Sequence, residues 1–331
     1  SEMCIRDSYY NAIINWVKQR YDLVVAKEMI NFVPGIVPGI GMAMNCFTQK
    51  GDKVMIQPPV YHPFAWVTTR NERTLVINPL KWENGMYRMD LDAFREQIKG
   101  CKLFILCNPH NPGGVVWTEA ELRAIADICY DEKVLVFSDE IHADLTLPPH
   151  THRPFATVSE KARMNSVTFM SPSKAFNMPG LSASHALIFN EDLRKRFRIY
   201  MDAGELDMGH VFAFLSVEAA YSHGTEWLDQ CLAYIQGNID FVDDFLKNHA
   251  PKIKAIRPEA SYLVWLDCRE LELSQKDLNE FFVDKAHLAL NDGEMFGKEG
   301  IGFMRLNVAS PRCIIEKAMK QLADAYQLYI K

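Results

Sequence analysis

The chain contains no apolar run near the ~20 residues needed to cross a bilayer. Its first residues show none of the basic, apolar and small-residue regions of a secretory signal. It lacks a basic tract or basic–aromatic stripe, and its net charge is -6, so nucleic acid is not an expected partner. No Cys-x-x-Cys occurs; the eight cysteines are scattered, several in apolar runs, and read as reduced, mostly buried thiols of a cytosolic protein. His150-x-His152 lies among prolines without a ligand cluster nearby and reads as a loop, so no metal is expected. There is no internal repeat and no low-complexity segment.

What is present is ordinary for a soluble globular protein: 331 residues, 48% apolar and 24% charged, enough chain for two domains. Short apolar runs at 53–57, 74–78, 103–107, 134–138, 166–170 and 186–189 are rich in Val, Ile and Phe. That pattern predicts strands covered on both faces. Helical patterns at 62–72, 91–99 and 118–132 fall between them, the last opened by the capping box Thr118-Glu-Ala-Glu121. The fold class is therefore α/β, with a mostly parallel sheet covered by helices. Further on, 191–202 and 210–248 read as helices, the second broken near His223-Gly224. Strands at 262–266 and 303–308 and helices at 274–286 and 312–330 predict a smaller α+β C-terminal domain. The boundary is placed near 229, giving a large domain at 1–229 and a small one at 230–331. Ser1–Ser8 fit no element, and a helix is expected from Tyr9.

Lys174 is the most informative residue. It follows the strand-like run Ser166–Met170 and precedes a Pro-Gly break, a poor place for a solvated surface charge. An amine held there can form a Schiff base with an aldehyde such as that of pyridoxal phosphate. Other elements suit the same cofactor. The run Phe32-Val-Pro34-Gly-Ile-Val37-Pro38-Gly-Ile-Gly41 leads into a helix of about ten residues, and amides at a helix start favour an anion. A plain Pro/Gly turn reads the same way. Ser171 and Ser173 offer hydroxyls to a phosphate, or cap a turn. Tyr61 follows a strand end and can stack on a flat ring, or simply pack. Asp139 ends the strand-like run from Val134, where ligands of such sheets bind. Its carboxylate can pair with a protonated pyridine nitrogen, or cap a helix. His142 and Asn111 can reach a phenolic oxygen; a loop histidine and a turn asparagine are the bland alternatives. Arg305 inside an apolar strand requires an anion. A substrate carboxylate, gripped bidentately, or an internal ion pair would serve.

Taken together, these segments resemble a known family. Gln57-Pro-Pro-Val-Tyr61, Asn108-Pro-His-Asn-Pro-Gly113, Ser138-Asp-Glu-Ile-His142, Pro172-Ser-Lys-Ala-Phe-Asn177 and Gly302-Phe-Met-Arg-Leu-Asn307 are similar to fold-type-I pyridoxal-phosphate enzymes of the class I/II aminotransferase group. The similarity runs from near Tyr9 to the C-terminus and is strongest to the MalY/PatB cystathionine β-lyase branch. The resemblance implies Lys174 as Schiff-base lysine, Asp139 on the pyridine nitrogen, and Asn111 and His142 on the phenolic oxygen. It also implies Tyr61 as stacking partner, Ser171 at the phosphate, Arg305 on the substrate carboxylate, and a homodimer with interfacial sites. There are two departures. Many relatives outside the branch have Tyr where His142 stands, and aminotransferases often place an Arg eight residues after the lysine, where this chain has Ser182. Such proteins also normally begin several tens of residues earlier, so a front segment carrying an aromatic residue for the partner's site is expected to be missing.

The implied activity is β-elimination from an L-cysteine S-conjugate such as cystathionine, giving a thiol, pyruvate and ammonia. The same residues would serve an aminotransferase, and a non-catalytic binding protein on this fold is the third reading. A small amino acid is the expected substrate.

Overall fold

Strand order in the main sheet decides where a ligand can sit. The computed structural model of the chain describes residues 2–329. Its strands are β1 (Ile30–Val33), β2 (Lys53–Ile56), β3 (Thr74–Ile77), the hairpin β4 (Lys81–Glu83) and β5 (Met86–Arg88), β6 (Cys101–Cys107), β7 (Leu135–Asp139), β8 (Ser166–Met170) and β9 (Ser184–Leu187). Seven of them form one sheet in the order β1-β9-β8-β7-β6-β2-β3. β3, β2, β6, β7 and β8 run parallel, and β9 lies antiparallel to both β8 and β1. This is the α/β arrangement predicted.

Alternation along each strand feeds two cores. In β6, Leu103 and Ile105 pack with α2 (Ile36–Phe47) and α3 (Pro63–Arg70) on one face. Phe104 and Leu106 pack with α4 (Leu91–Gln97) and α5 (Glu119–Asp131) on the other. Such two-sided burial explains why the central strands are apolar throughout. The capping box is present as expected, with the Thr118 hydroxyl accepting from the Glu121 amide at 3.2 Å.

One expectation is corrected at the front. α1 spans Glu2–Tyr21, so residues 2–8 belong to the helix rather than to no element. No Pro or Gly interrupts this stretch, and Arg6 reaches over the Phe214 ring. A second correction concerns α2, which begins at Ile36 rather than beyond Gly41. Pro38 is tolerated in its first turn because the missing N–H would have no helical partner there. Gly35, at φ +122°, makes the entry turn.

The remaining helices are α6 (Glu160–Met164), α7 (Glu191–Asp202), α8 (Val211–His223), α9 (Thr225–His249), α10 (Gln275–Glu280) and α11 (Arg312–Tyr329). The break between α8 and α9 falls at Gly224, as read from the sequence. A second, antiparallel sheet has the order β10-β11-β13-β12, built from β10 (Lys254–Ile256), β11 (Leu263–Asp267), β12 (Asn291–Asp292) and β13 (Phe303–Asn307). Val264, Leu266, Met304 and Leu306 face α9 and α11. Trp265 and Phe303 stack at 5.2 Å on the opposite face, toward the β4–β5 hairpin. β1, β10, β12 and the hairpin went unpredicted: each is at most four residues long. Among the described residues, no helix is long and apolar enough to cross a membrane.

Candidate active site

The parallel strands deliver their following loops to one edge of the sheet. Residues 57–62 leave β2, 108–114 leave β6, 140–145 leave β7 and 171–183 leave β8. β9, running the other way, starts at that same edge, and β1 ends there in the Gly35 turn. Side chains from all these loops surround one cavity of about 450 Å³, closed from the far side by β11 and β13. Ligands of α/β sheets bind at this carboxyl edge.

The cavity holds Lys174, Asp139, Tyr61, Asn111, His142, Ser173, Val37, Pro38 and Arg305 together. These come from positions as far apart as 37 and 305, so only the tertiary fold assembles them. Ser171 is the exception and does not line the cavity. It is buried behind the wall, donating to the Ala183 carbonyl at 2.7 Å and accepting from the Ser173 amide at 3.1 Å. Its hydroxyl is also hydrogen-bonded to that of Ser173 at 2.9 Å, which ties the two serines together. Pro38 also changes its part: lacking an N–H, it offers only ring surface. The Gly39 amide already bonds the Gly35 carbonyl at 2.9 Å. The free donors of this turn are therefore the amides of Ile36 and Val37.

The charged groups are poorly served by their protein neighbours. Asp139 is buried and accepts one hydrogen bond, from the Ile141 amide at 3.1 Å. Burial pushes its carboxyl up to about 7. The next residue, Glu140, points the other way and is satisfied by His152 at 2.8 Å, Ser138 at 2.7 Å and the Phe155 amide at 2.8 Å. His152, read from sequence as a loop residue, is thus a buried partner of Glu140. Burial, and then the Arg305 charge, hold the Lys174 amine below its ordinary range, against a smaller opposing pull from Asp139. That favours the neutral, nucleophilic form. Burial also takes His142 down to about 3, leaving a neutral imidazole whose Nδ1 has no partner.

Arg305 donates from Nη1 to Asn111 Oδ1 at 2.9 Å and from Nη2 to Asn291 Oδ1 at 2.8 Å. Its guanidinium lies 4.7 Å from the Phe296 ring centroid. Its Nε is buried without a partner, and among the described residues it makes no ion pair. The internal ion pair considered from sequence is absent there. Burial lowers this guanidinium to about 10. An anion is the missing element.

Residues 3–322 match the family model described as aminotransferase class I and II. The chain belongs to that family. It is 38% identical over 317 residues to cystathionine β-lyase PatB of Bacillus subtilis, covering 95% of this chain and 82% of that protein. It is 29% identical over 322 residues to protein MalY of Escherichia coli, covering 96% and 82%. The solved structure of the pyridoxal-phosphate-bound C–S lyase from Staphylococcus hominis superposes with a TM-score of 0.91 at 32% identity, covering 98% of this chain and 85% of that one. The resemblance to the MalY/PatB branch is therefore upheld.

Within this family framework, several wall residues escaped sequence reasoning. Tyr262, Asn307, Ser182, Ser184 and Ile36 all line the cavity. Asn307 was legible in principle: it stands two residues after Arg305 on β13 and so shares its face. Ser182 sits at φ +47° in the position eight after the lysine. Among the described residues, Lys174 and Arg305 are the lysine and arginine side chains of the wall. No arginine takes the place of Ser182.

Proposed function

We propose that this chain is a pyridoxal-phosphate-dependent carbon–sulfur β-lyase acting on L-cystathionine or other L-cysteine S-conjugates. The products are a thiol, pyruvate and ammonia. The observation that carries this reading is the set of unmatched groups around one cavity: a depressed amine at Lys174, a buried carboxyl at Asp139 without a cation, and Arg305 without an anion. Kinship with PatB and MalY selects elimination from the chemistries such a site allows.

The residues fit the cofactor. Asp139 would face its ring nitrogen, whose positive charge supplies the cation that the buried carboxyl lacks. Asn111, its Oδ1 held by Arg305, would have its NH2 free for the phenolic oxygen, with neutral His142 as a second candidate. Tyr61 offers the stacking face. The Ile36 and Val37 amides and the hydroxyls of Ser173, Ser182 and Ser184 would hold the phosphate, meeting its charge without an arginine. Lys174 would hold the aldehyde carbon. When bound, the cofactor supplies an electron sink for the carbanion at the substrate α-carbon. Displaced from the aldehyde carbon by the substrate's own amine, Lys174 would be free to take the α-proton, and Arg305 would fix the α-carboxylate so that this proton faces the amine. The site residues' roles, a small-domain boundary near 229, a homodimer and a cytoplasmic location are part of the same proposal.

Incubation of the purified protein with cystathionine, without any amino acceptor, should release pyruvate. Lys174→Ala should abolish both that release and the visible absorbance of the bound cofactor. Keto acid formed only after an acceptor is added would establish an aminotransferase instead.

A further inference from the structure

A second cavity, of about 320 Å³, lies directly beyond Lys174. It shares Lys174, Tyr262 and Asn307 with the first, so the two cavities adjoin at these side chains. Its far walls come from α9, through Trp227, Cys231, Tyr234 and Ile235, and from residues 309–311. Apart from Lys174, no lining residue carries a charge. Arg312, next to this wall, is turned away. Its backbone amide donates to the Tyr234 hydroxyl at 2.7 Å, while its Nε donates to Asn238 at 2.8 Å and its guanidinium lies 4.8 Å from the Phe241 centroid. Two large aromatic side chains border the opening: Trp227 is 50% exposed and Tyr234 51% exposed. Trp227 is held in place by stacking on Phe176 at 5.8 Å, two residues from Lys174.

Resting on the lyase reading, we propose that this cavity receives the sulfur substituent of the cysteine conjugate and selects apolar, above all aromatic, substituents. With the α-carboxylate at Arg305 and the α-carbon beside Lys174, the adjoining cavity is the space next to the substrate side chain. An aromatic substituent gains contact with the Trp227 and Tyr234 faces. A substituent ending in an ammonium and a carboxylate, as in cystathionine, loses water there without gaining a counter-charge.

The test measures kcat/KM of the cofactor-loaded enzyme for S-benzyl-L-cysteine and for L-cystathionine by pyruvate release. The expected ratio favours the benzyl conjugate by at least roughly tenfold, and Trp227→Ala lowers the ratio by a similar factor. Cys231→Arg, at a half-buried helix position, supplies a counter-charge and shifts the ratio toward cystathionine. Pyruvate from both conjugates with a ratio near one, or a ratio unmoved by both substitutions, overturns the subsite while leaving the lyase reading intact. An equal loss for both conjugates in Trp227→Ala also overturns it, marking that face as covered by protein. No pyruvate from either conjugate overturns subsite and lyase reading together.

Discussion

Arg305 and Asn111 are joined across the two sheets by a hydrogen bond of 2.9 Å, from Nη1 to Oδ1. One residue comes from the centre of β13 and the other from the loop after β6. The bond fixes the Asn111 side-chain oxygen toward the arginine, which leaves its NH2 group to donate into the cavity. On the proposed roles of the two residues, this bond would couple substrate grip to cofactor contact. Arg305→Lys keeps a positive charge but loses the fork. The loss of charge-assisted bonds worth about 1.5–3 kcal/mol should raise KM for the amino acid by roughly ten- to a hundredfold. Steady-state kinetics alongside the visible spectrum check this, since the cofactor should stay bound. An unchanged KM would remove Arg305 from substrate binding.

Asp139 gives a prediction about pH. Its carboxyl is raised to about 7 in the folded, cofactor-free chain, against the ordinary 3.8 of a solvated aspartate in the unfolded chain. Below about pH 4 both folded and unfolded forms are protonated, and the group costs nothing. As pH rises toward 7 the unfolded chain releases its proton first, so folding loses stability, by an amount on the order of a few kcal/mol. Asp139→Asn should therefore raise the melting temperature of the cofactor-free protein at pH 8 and have little effect near pH 4. The same change should weaken retention of the cofactor, because the ring cation loses its partner. Stabilisation of equal size at both pH values would show that this carboxyl is not the titrating group.

Much of the fold and part of the site could be read from residues alone, for identifiable reasons. Every residue of β8 is buried, so its apolar run stands out, and Lys174 just beyond it is conspicuous. Asp139 and Arg305 are legible by the same contrast between charge and apolar neighbours. Ser171 and Ser173 are indistinguishable in sequence, and only the Ala183 carbonyl, which takes the Ser171 hydroxyl, decides which one faces the cavity. Tyr262 and the α9 side chains at Trp227 and Tyr234 reach Lys174 through packing between distant segments, for which no local pattern exists. The start of α2 was misplaced because Pro38 reads as a breaker, although the first helical turn accepts it.

Behind the site, Asp144 ties the 140–145 loop to α1. Its Oδ1 accepts from Trp16 Nε1 at 2.9 Å and also from the Tyr21 hydroxyl. Burial raises this carboxyl, and the two donors oppose that shift. Asp144→Ala leaves the buried indole N–H without a partner and should cost about 2–4 kcal/mol. Tyr21→Phe removes one donor and should cost about 1 kcal/mol. The double substitution should cost less than the sum, since both changes break the same bond. Urea unfolding of the four proteins measures the coupling, and strict additivity would mean that the contact contributes nothing.

Gly39 tests the helix that carries the Ile36 and Val37 amides. It lies inside α2, where replacing Gly by Ala ordinarily gains about 1 kcal/mol of helix propensity. Here a Cβ would stand 2.9 Å from Val33 Cγ2 and 3.3 Å from Phe169 Cε1, atoms of β1 and β8. Neither neighbour can retreat, because Val33 and Phe169 are themselves fully buried in the same core. Overpacking of this kind costs about 1–3 kcal/mol and outweighs the propensity gain. Relief requires α2 to lift from the sheet, which carries its first turn away from the cavity edge. Gly39→Ala should therefore lower the melting temperature and weaken cofactor binding together. Gly41→Ala, on the same helix, meets only Val67 Cγ2 at 3.2 Å and Asn71 Nδ2 at 3.9 Å, so it should disturb both less. Equal effects at the two glycines would mean that close packing of α2 on the sheet does not set the position of its amides.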